Sequence, residues 1–332
     1  MNCEKRFVFT GKSQVELEEF KLPEVNAGEI AVKIVATMVS SGTEGIVFER
    51  KFTAGNHWDS WVKYPFYPGY SAVGYVSAVG DGVSMFKVGD RVVTRAGHAS
   101  AAVLPETLCF PIPDEISFET ALWFAFAKIT AMGARVAQYR LGDRVAVIGA
   151  GLIGQFSARW AYAAGAEKVA VIDPALFRLD FLKSAGNFLT LGQALTPETL
   201  PELEKLFDGE QPNIVVESTG NAKVFQNALR AVGRFGKLVL MTDTGTPEEQ
   251  RLCGEMITKG LHIVGAHDPH ETTDWNSRII AKLFFRMCAD GRIRIGDMVT
   301  HRFDCENPAE IYRVCCEERD KVMGMVVRWS VY

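Results

Sequence analysis

The sequence predicts an α/β chain in which a β-rich N-terminal third precedes a doubly wound parallel sheet. Short apolar runs fill the first third and are divided by Gly-Asp, Pro and Gly turns, as in EIAVKIVATMVSS and SAVGYVSAVG. From about Ser117, helical patterns alternate with near-continuous apolar strands such as RVAVIGA and KVAVIDP. A glycine-rich turn follows the first of these strands. Together with a length of 332 residues, these observations predict two domains.

The remaining elements follow in order along the chain. Ser117 and Glu119 suit the start of a helix through SFETALWFAFAKITAMGARVAQYR. Strands and helices then alternate through RVAVIGA, GQFSARWAYAAG, KVAVIDP, LFRLDFLKSAG, NIVVESTG, VFQNALRAVGRFG, KLVLMTD and HIVGAHD. After roughly Asp268 come a long helix through WNSRIIAKLFFRMCADG, the run MVTHRF, another helix and a last strand, GMVVRW. These closing pieces are expected to complete the first domain.

Composition and charge exclude several classes of protein. Hydrophobic residues make up 48% of the chain and charged residues 23%, which favours a folded core over disorder. The net charge of −4 provides no basic surface for nucleic acid. No apolar run reaches the roughly 18 residues that span a bilayer, and the start MNCEKRFVFTGK lacks the apolar stretch of a secretion signal. The seven cysteines are irregularly spaced, with no C-x-x-C pair. We therefore expect a cytoplasmic protein with reduced thiols and no membrane or nucleic-acid partner.

The glycine-rich turn predicts a dinucleotide site. Gly149, Gly151 and Gly154 have the G-x-G-x-x-G spacing between a strand and a helix. The first glycine permits a tight turn, the second lets the backbone approach a pyrophosphate, and the third lets helix and strand pack closely. Leu152 and Ile153 begin the helix, whose free N–H groups and dipole favour phosphate. The alternative interpretation is that the glycines only shape a turn.

Asp173 predicts which dinucleotide binds. It ends the second strand, 19 residues after Gly154, close to the spacing of the dinucleotide fingerprint. A carboxylate there accepts hydrogen bonds from the ribose hydroxyls and repels a 2′-phosphate, so NAD(H) is predicted over NADP(H). Arg178, on the next helix, is a further candidate contact that would soften this preference; the alternative is a solvated helix charge.

Several other segments, in this order, resemble the medium-chain dehydrogenase/reductase superfamily over essentially the whole chain. They are SSGTE, YPGYSAVGYVSAVG, VGDRVV, KITAMGA, VVESTG, GRFGKLVLM and VTHRF. The resemblance implies a GroES-like catalytic domain at 1–118, completed by 269–332, and a Rossmann NAD-binding domain at 119–268. It also implies an active site in the cleft between the domains and a homo-oligomer, either a dimer or a tetramer. Thr130, Ser218 and Thr219 are implied as further cofactor contacts.

The chain departs from the zinc-containing members of that superfamily. Where those have Cys-Gly-Thr/Ser-Asp, this chain has SGTE beginning at Ser41, and their Pro-Gly-His-Glu becomes PGYS with Tyr70 in place of the histidine. A further carboxylate is replaced by Phe126, and the lobe of four cysteines that holds a structural zinc is absent between Asp90 and Cys109. A catalytic zinc needs about three clustered N, S or O ligands. We therefore predict no metal at either position.

Without zinc, protein groups must bind the substrate oxygen and move its proton. The alternative is a rebuilt metal site using Glu44, His57 or His98. The candidate catalytic residues are His98, Lys128, His267, Tyr70 and Thr43.

A different chemical property makes each of these residues a candidate. His98 lies where the family more often has an apolar or aromatic pocket residue, and an imidazole there can act as acid or base; the alternative is a strand-end histidine satisfied by backbone. His267 lies near the expected position of the nicotinamide. Lys128, in the apolar stretch WFAFAKITA, must find an anion, a hydroxyl or water. Tyr70 either contacts substrate or fills the vacated volume. Thr43 keeps a hydroxyl that relays protons in the zinc branch.

The predicted function is a zinc-independent, NAD(H)-dependent oxidoreductase of a secondary alcohol/ketone pair. A polyol or sugar-type substrate is favoured by the polar candidates, although a hydrophobic ring alcohol of the chlorophyllide type stays open. Two alternatives are a quinone- or enoyl-reductase, which usually prefers NADPH, and a dinucleotide-binding protein with little catalysis.

Overall fold

The structure is a computed structural model that describes residues 3–329. Packing divides the chain into two units. The first contains the residues up to Ala125 and those from Met298 onward, and the second is Phe126–Asp297. No helix in the described part of the chain is both long enough and apolar enough to cross a membrane.

The elements are numbered in chain order. The strands are β1 (Glu4–Gly11), β2 (Gln14–Phe20), β3 (Glu29–Val39), β4 (Ala72–Val79), β5 (Arg91–Thr94), β6 (Ala101–Pro105), β7 (Cys109–Pro111), β8 (Arg144–Ile148), β9 (Lys168–Ile172), β10 (Leu189–Leu191), β11 (Ile214–Glu217), β12 (Lys237–Leu240), β13 (His262–Gly265), β14 (Val299–Asp304) and β15 (Gly324–Arg328). The helices are α1 (Thr43–Glu49), α2 (His57–Trp61), α3 (Phe118–Leu122), α4 (Phe124–Ala137), α5 (Leu152–Ala163), α6 (Leu176–Lys183), α7 (Leu200–Leu206), α8 (Ala222–Ala231), α9 (Glu255–Thr258), α10 (Ser277–Ala289) and α11 (Pro308–Glu317).

The first unit is built on a sheet with the order β14-β15-β3-β4-β5-β7, and β6 also pairs with β3. Strands β1 and β2 form a separate antiparallel hairpin. Gly74 lets β4 lie close to β3, because a Cβ there would come within 2.1 Å of the carbonyl oxygen of Lys33. One apolar cluster of this unit contains Phe9, Phe48 and Tyr312, so α1 and α11 share a core with the β1–β2 hairpin.

The second unit contains a parallel sheet with the order β10-β9-β8-β11-β12-β13. The direction in which successive strands are added to the sheet reverses between β8 and β11. Parallel sheets bind ligands at such a switch point, beyond the carboxyl ends of their strands. Strand β8 shows why helices cover both faces: Ala146 and Ile148 join one apolar cluster, whereas Val145 and Val147 join another. The predicted α/β class with a doubly wound parallel sheet is confirmed.

The second unit extends further along the chain than the sequence suggested. Helix α10 packs on α5, where the ring centroids of Phe284 and Phe156 are 6.0 Å apart. Arg159 Nε of α5 also donates a hydrogen bond to the carbonyl oxygen of Arg294, at 2.8 Å. These contacts keep the chain with the second unit to residue 297, beyond the expected end at 268, and the unit begins at 126 rather than 119.

The helical stretch that begins near Ser117 is divided in two. Ser117 Oγ accepts a hydrogen bond from the backbone N–H of Thr120 at 3.0 Å, so Ser117 caps α3, as its residue type predicts. Trp123 ends α3, and α4 begins at the next residue. The fully buried Trp123 ring fills the core at this break.

Candidate active site

The turn between β8 and α5 has the shape that the glycine spacing requires. Gly149 has φ of +93°, a left-handed conformation that favours glycine. A Cβ on Gly154 would lie 1.8 Å from the carbonyl oxygen of Gly149, so a side chain would separate helix from turn. Gly151 is the N-cap of α5, no side chain caps the helix there, and a Cβ on it would meet open space. The N–H groups at the start of α5 therefore remain available to an anion.

Asp173 braces this turn from the end of β9. One carboxylate oxygen accepts a hydrogen bond from the N–H of Ala150 at 2.7 Å, and the other accepts from the N–H of Ala175 at 2.8 Å. The Arg178 guanidinium lies 3.6 Å from the same carboxylate. Asp173 and Arg178 thus lie beside the glycine turn, where the fingerprint expects a ribose contact.

The end of β11 supplies the other side of the turn. Ser218 Oγ donates to the carbonyl oxygens of Ile148 and Gly149, at 2.8 and 3.1 Å. Thr219 donates through its N–H and its hydroxyl to the carboxylate of Glu217. Glu217 is fully buried, and this burial raises its pKa even though hydrogen bonds from the loop oppose the shift. Sequence reasoning missed Glu217, whose local signal is an acidic residue at the end of an apolar strand.

Thr130, also predicted near the cofactor, is engaged inside the second unit. Its hydroxyl donates to the carbonyl oxygen of Phe126 at 2.8 Å and accepts from Trp160 Nε1 at 3.1 Å. Leu152 and Ile153 are the first two residues of α5. The structure therefore groups the three glycines, Asp173, Arg178 and Ser218 around one turn, whereas the Thr130 hydroxyl faces α5.

The buried ammonium group of Lys128 forms ion pairs with two carboxylates. Its ammonium lies 2.9 Å from a carboxylate oxygen of Asp268 and 2.8 Å from one of Glu271, and it donates to the carbonyl oxygen of Asp268 at 2.5 Å. The Lys128 side chain is 3% exposed. This arrangement ties α4 to the segment after β13.

His267 lies in that same segment and is exposed. It lines a cavity of about 240 Å³ together with Arg135, Trp275 and His270, whose ring centroid is 5.5 Å from that of His267. Both imidazoles therefore face an accessible space within the second unit.

Tyr70 lies in the first unit, where it joins a chain of hydroxyl groups. Its phenol donates a hydrogen bond to Ser40 Oγ and also bonds with Thr43, the first residue of α1. The guanidinium carbon of Arg95 lies 4.9 Å from the centre of the Tyr70 ring. Burial raises the pKa of Tyr70, although its hydrogen bonds with Ser40 and Thr43 oppose the shift. Tyr70 and Thr43, both predicted candidates, are thus brought together.

His98 is buried behind this hydroxyl chain. Its Nδ1 lies 2.7 Å from Thr37 Oγ1, and its Nε2 lies 3.0 Å from a carboxylate oxygen of Glu44. The hydroxyl of Tyr312 donates to the same oxygen of Glu44 at 2.5 Å. Trp329 Nε1 donates to Thr37 Oγ1 at 2.9 Å. Both ring nitrogens of His98 are therefore occupied by side chains, not by backbone, and no local motif signals this network.

Three residues stand where the resemblance to the zinc-containing dehydrogenases places metal ligands. Ser41, Tyr70 and Phe126 offer no thiolate, imidazole or carboxylate, the groups that hold catalytic zinc. Glu44 and His98 are engaged with each other and with further side chains. Among residues 3–329, no group of three or more His, Cys, Asp or Glu side chains is placed to hold a metal ion.

Two family models match the chain, one in each unit. Residues 26–114 match the alcohol dehydrogenase GroES-like domain, and residues 153–282 match the zinc-binding dehydrogenase family. The chain is 26% identical over 330 residues to an L-threonine 3-dehydrogenase of Chromobacterium violaceum, covering 87% of this chain and 89% of that protein. It is 25% identical over 357 residues to the sorbitol dehydrogenase of Mus musculus, covering 96% and 94%.

Solved structures agree on the fold. An oxidoreductase/dehydrogenase of unknown specificity from Escherichia coli is similar, with a TM-score of 0.85 at 18% identity, covering 98% of this chain and 99% of that one. The galactitol-1-phosphate dehydrogenase of Escherichia coli gives a TM-score of 0.81 at 20% identity, with the same coverage. The predicted pairing of a GroES-like unit with a Rossmann unit is confirmed. The chain thus combines a match to the alcohol dehydrogenase GroES-like domain with a match to the zinc-binding dehydrogenase family, and it is similar to dehydrogenases over most of its length.

Proposed function

We propose that this chain transfers hydride between NAD(H) and a secondary alcohol or its ketone, and that it does so without zinc. Its relatives include dehydrogenases of alcohols and polyols, and the chain is accordingly a nicotinamide-dependent dehydrogenase acting on CH–OH donors. Three finer parts of the proposal rest on the contacts described above. They are the preference for NAD over NADP, the independence from zinc, and the choice of residues that move the proton.

The cofactor part rests on the turn between β8 and α5. The uncapped start of α5 offers N–H groups to a pyrophosphate, and the absence of a side chain at Gly151 leaves room for it. Asp173 offers carboxylate oxygens for ribose hydroxyls and disfavours a 2′-phosphate, which supports NAD over NADP. Arg178, 3.6 Å from Asp173, is read as the ion-pair partner of that carboxylate. When bound, the nicotinamide ring accepts or supplies the hydride.

The observation that carries the proton transfer is the hydrogen bond between the Tyr70 and Ser40 hydroxyls. When Tyr70 donates in this bond, its phenol oxygen keeps a lone pair that can accept a proton from a substrate hydroxyl. The phenol proton then moves to Ser40 Oγ, and Ser40 passes its own hydroxyl proton to water; the reverse transfers protonate a ketone oxygen as it is reduced. The raised pKa of Tyr70 keeps the phenol protonated between turnovers, which suits a relay through a neutral hydroxyl.

The other candidates are assigned different roles. Lys128 is held by Asp268 and Glu271, so we assign it to anchoring the segment after β13. His98, with both nitrogens occupied, is assigned to positioning. His267 is exposed on a cavity and is the alternative proton carrier.

A polyol or sugar-type alcohol is the substrate class we favour. Sorbitol dehydrogenases of several animals and one bacterium are among the relatives at comparable identity. A quinone- or enoyl-reductase is the rival activity, and Asp173 opposes the NADPH preference usual for it. A dinucleotide-binding protein with little catalysis is the other rival.

A two-stage assay separates these functions. The purified full-length chain is first titrated with NADH and NADPH by fluorescence, and is then offered polyols, enones and quinones with the tighter cofactor. We expect tighter binding of NADH and turnover of polyols only. Turnover of enones or quinones with NADPH would establish the rival reductase, and binding without turnover would establish the binding protein.

Replacing Tyr70 by Phe tests the relay. We expect kcat to fall about 100-fold, the usual scale for losing an acid–base group, while the Kd for NAD changes less than about twofold. Tyr75→Phe is the matched control, because Tyr75 is a partly exposed tyrosine of β4 in the same unit. An unchanged kcat in Tyr70→Phe would remove Tyr70 from the mechanism and leave His267 as the carrier to test.

A further inference from the structure

The positions of Ser40 and Tyr70 raise the question of what holds the hydroxyl relay together. Ser40 lies in the loop before α1 and Tyr70 in the turn before β4, so their hydrogen bond needs a cross-link between these two segments. We propose that Glu44 and His98 form a clamp that makes this cross-link here and thereby holds Ser40 and Tyr70 in hydrogen-bonding position. The proposal deepens the proposed function and rests on it for the role of Tyr70.

Glu44 holds the Ser40 side of the clamp. Its backbone N–H donates to the carbonyl oxygen of Ser40 at 2.8 Å. In return, the N–H of Ser40 donates to a carboxylate oxygen of Glu44 at 2.7 Å. These two bonds hold the Ser40 backbone two residues before Gly42, the N-cap of α1. The Ser40 side chain therefore extends from a backbone that Glu44 fixes.

His98 holds the Tyr70 side of the clamp. Its backbone N–H donates to the carbonyl oxygen of Pro68 at 2.9 Å. Its ring lies directly against Gly69, where a Cβ would come within 2.8 Å of His98 Cδ2. Gly69 has φ of +94°, so both the turn geometry and the imidazole require glycine at this position. The residue that follows this tightly packed turn is Tyr70.

The two sides meet at one buried contact, between His98 Nε2 and Glu44, 3.0 Å apart. One set of proton positions satisfies these hydrogen bonds with a neutral imidazole. Trp329 Nε1 can only donate, so Thr37 Oγ1 accepts from it and has its own proton available for His98 Nδ1. Nε2 then carries the ring hydrogen and donates it to Glu44, which also accepts from Tyr312. Each of these donors has an acceptor under this assignment.

Burial strengthens the hydrogen bond between His98 and Glu44. His98 and Glu44 are 2% and 3% exposed, so water does not compete for their hydrogen bonds. Removing one partner leaves the other buried and unpaired, and the chain around it must shift to find water or another partner. Because Ser40 and Tyr70 are attached to opposite sides of the clamp, such a shift separates the two hydroxyls.

The first test reads the clamp without using activity. The full-length chain is labelled with ¹⁵N-histidine, and the ring resonances of the six histidines are recorded, with His98 identified by their comparison with His98→Gln. We expect His98 as the Nε2–H tautomer, with Thr37→Val altering its Nδ1 resonance. A ring protonated on Nδ1 alone would leave Nε2 without a hydrogen for Glu44 and would overturn the clamp.

The second test uses variants that keep or remove the donor. Glutamine places an N–H near the position of Nε2, so His98→Gln is expected to retain most of kcat, whereas His98→Ala is expected to lose about 10- to 100-fold, the scale of a misplaced catalytic group. KM and the Kd for NAD should change little. His301→Gln, in β14 of the same unit, is the control for a histidine replaced by glutamine.

A double substitution connects the clamp to the relay. In a Tyr70→Phe background, His98→Ala is expected to cause no further loss of kcat, because the hydroxyl that the clamp positions is already gone. If the double variant instead loses kcat by the product of the two single-variant factors, His98 acts independently of Tyr70 and the proposal is overturned. If the chain turns over no alcohol at all, the proposed function fails, while the histidine spectra still decide whether the clamp exists.

Discussion

At the scale of single residues, Asp173 combines two tasks. Its carboxylate accepts hydrogen bonds from Ala150 and Ala175, which stabilises the glycine turn, and the same carboxylate is the proposed contact for a ribose. The proposed selectivity for NAD and the shape of the turn therefore depend on one side chain.

Replacing Asp173 by Asn removes the charge together with one of the two acceptors that the turn uses. We expect NAD to bind about tenfold more weakly, the scale of one charged hydrogen bond, and NADP to gain relative to NAD. Fluorescence titration with both cofactors measures the ratio. Asp180→Asn, an exposed acid of α6 paired with Lys183, is the matched control. An unchanged preference would contradict the ribose assignment.

Local signals explain which residues could be predicted. Glycine spacing and an acid at the end of a strand both lie within one short stretch of sequence, and the structure places Gly149, Gly154 and Asp173 around one turn. The partners of Lys128 were not predictable, because Asp268 lies 140 positions away and only folding brings the two together.

At the scale of elements, the β8–α5 turn provides a matched pair of glycines. Ala at Gly151 meets open space and should leave the fold intact while its methyl group obstructs the pyrophosphate. Ala at Gly154 would lie 1.8 Å from a backbone oxygen and should destabilise the second unit. We expect Gly151→Ala to lose NAD affinity at an unchanged Tm, and Gly154→Ala to lower the Tm. Equal Tm values for the two variants would contradict the close packing at Gly154.

The link between α4 and the segment after β13 predicts a pH dependence. Burial alone would raise the pKa of Glu271, but hydrogen bonds from Lys128 and Ser277 outweigh it and lower this pKa below the ordinary value of 4.5. A carboxylate with a lowered pKa stabilises the fold above 4.5, and that stabilisation is lost as the pH falls through its folded-state pKa. Glu271→Gln should therefore lower the apparent Tm at pH 7, and the difference from the unsubstituted chain should shrink in acid.

Thermal unfolding from pH 7 to pH 3 measures that difference. Glu167→Gln, at an exposed site of the same unit, is the control for loss of a carboxylate. A difference in Tm that stays constant across this range would show that the ion pair with Lys128 does not stabilise the fold.

Element boundaries were harder to predict than element types. The helical pattern from Ser117 is continuous in sequence, yet the structure divides it at Trp123, whose ring is buried. Periodicity along one segment does not report which neighbouring element a large side chain must pack against.

At the scale of the whole molecule, the alternation of strands and helices predicted the parallel sheet, because near-continuous apolar strands need helices on both faces. The chain's return to the first unit was not predictable in detail, because it depends on α10 packing against α5 through Phe284 and Phe156. The buried network was equally inaccessible: it joins Thr37, His98 and Trp329, which lie far apart in sequence.

The central claim is that a chain similar to zinc-binding dehydrogenases carries out its reaction with hydroxyl groups in place of the metal. The most direct measurement is the zinc content of the purified full-length chain, taken together with polyol turnover before and after dialysis against a chelator. We predict well under about 0.1 zinc per chain and unchanged turnover, because the side chains at the zinc positions cannot supply a ligand set. About one zinc per chain, with activity lost on chelation and restored by added zinc, would contradict the account.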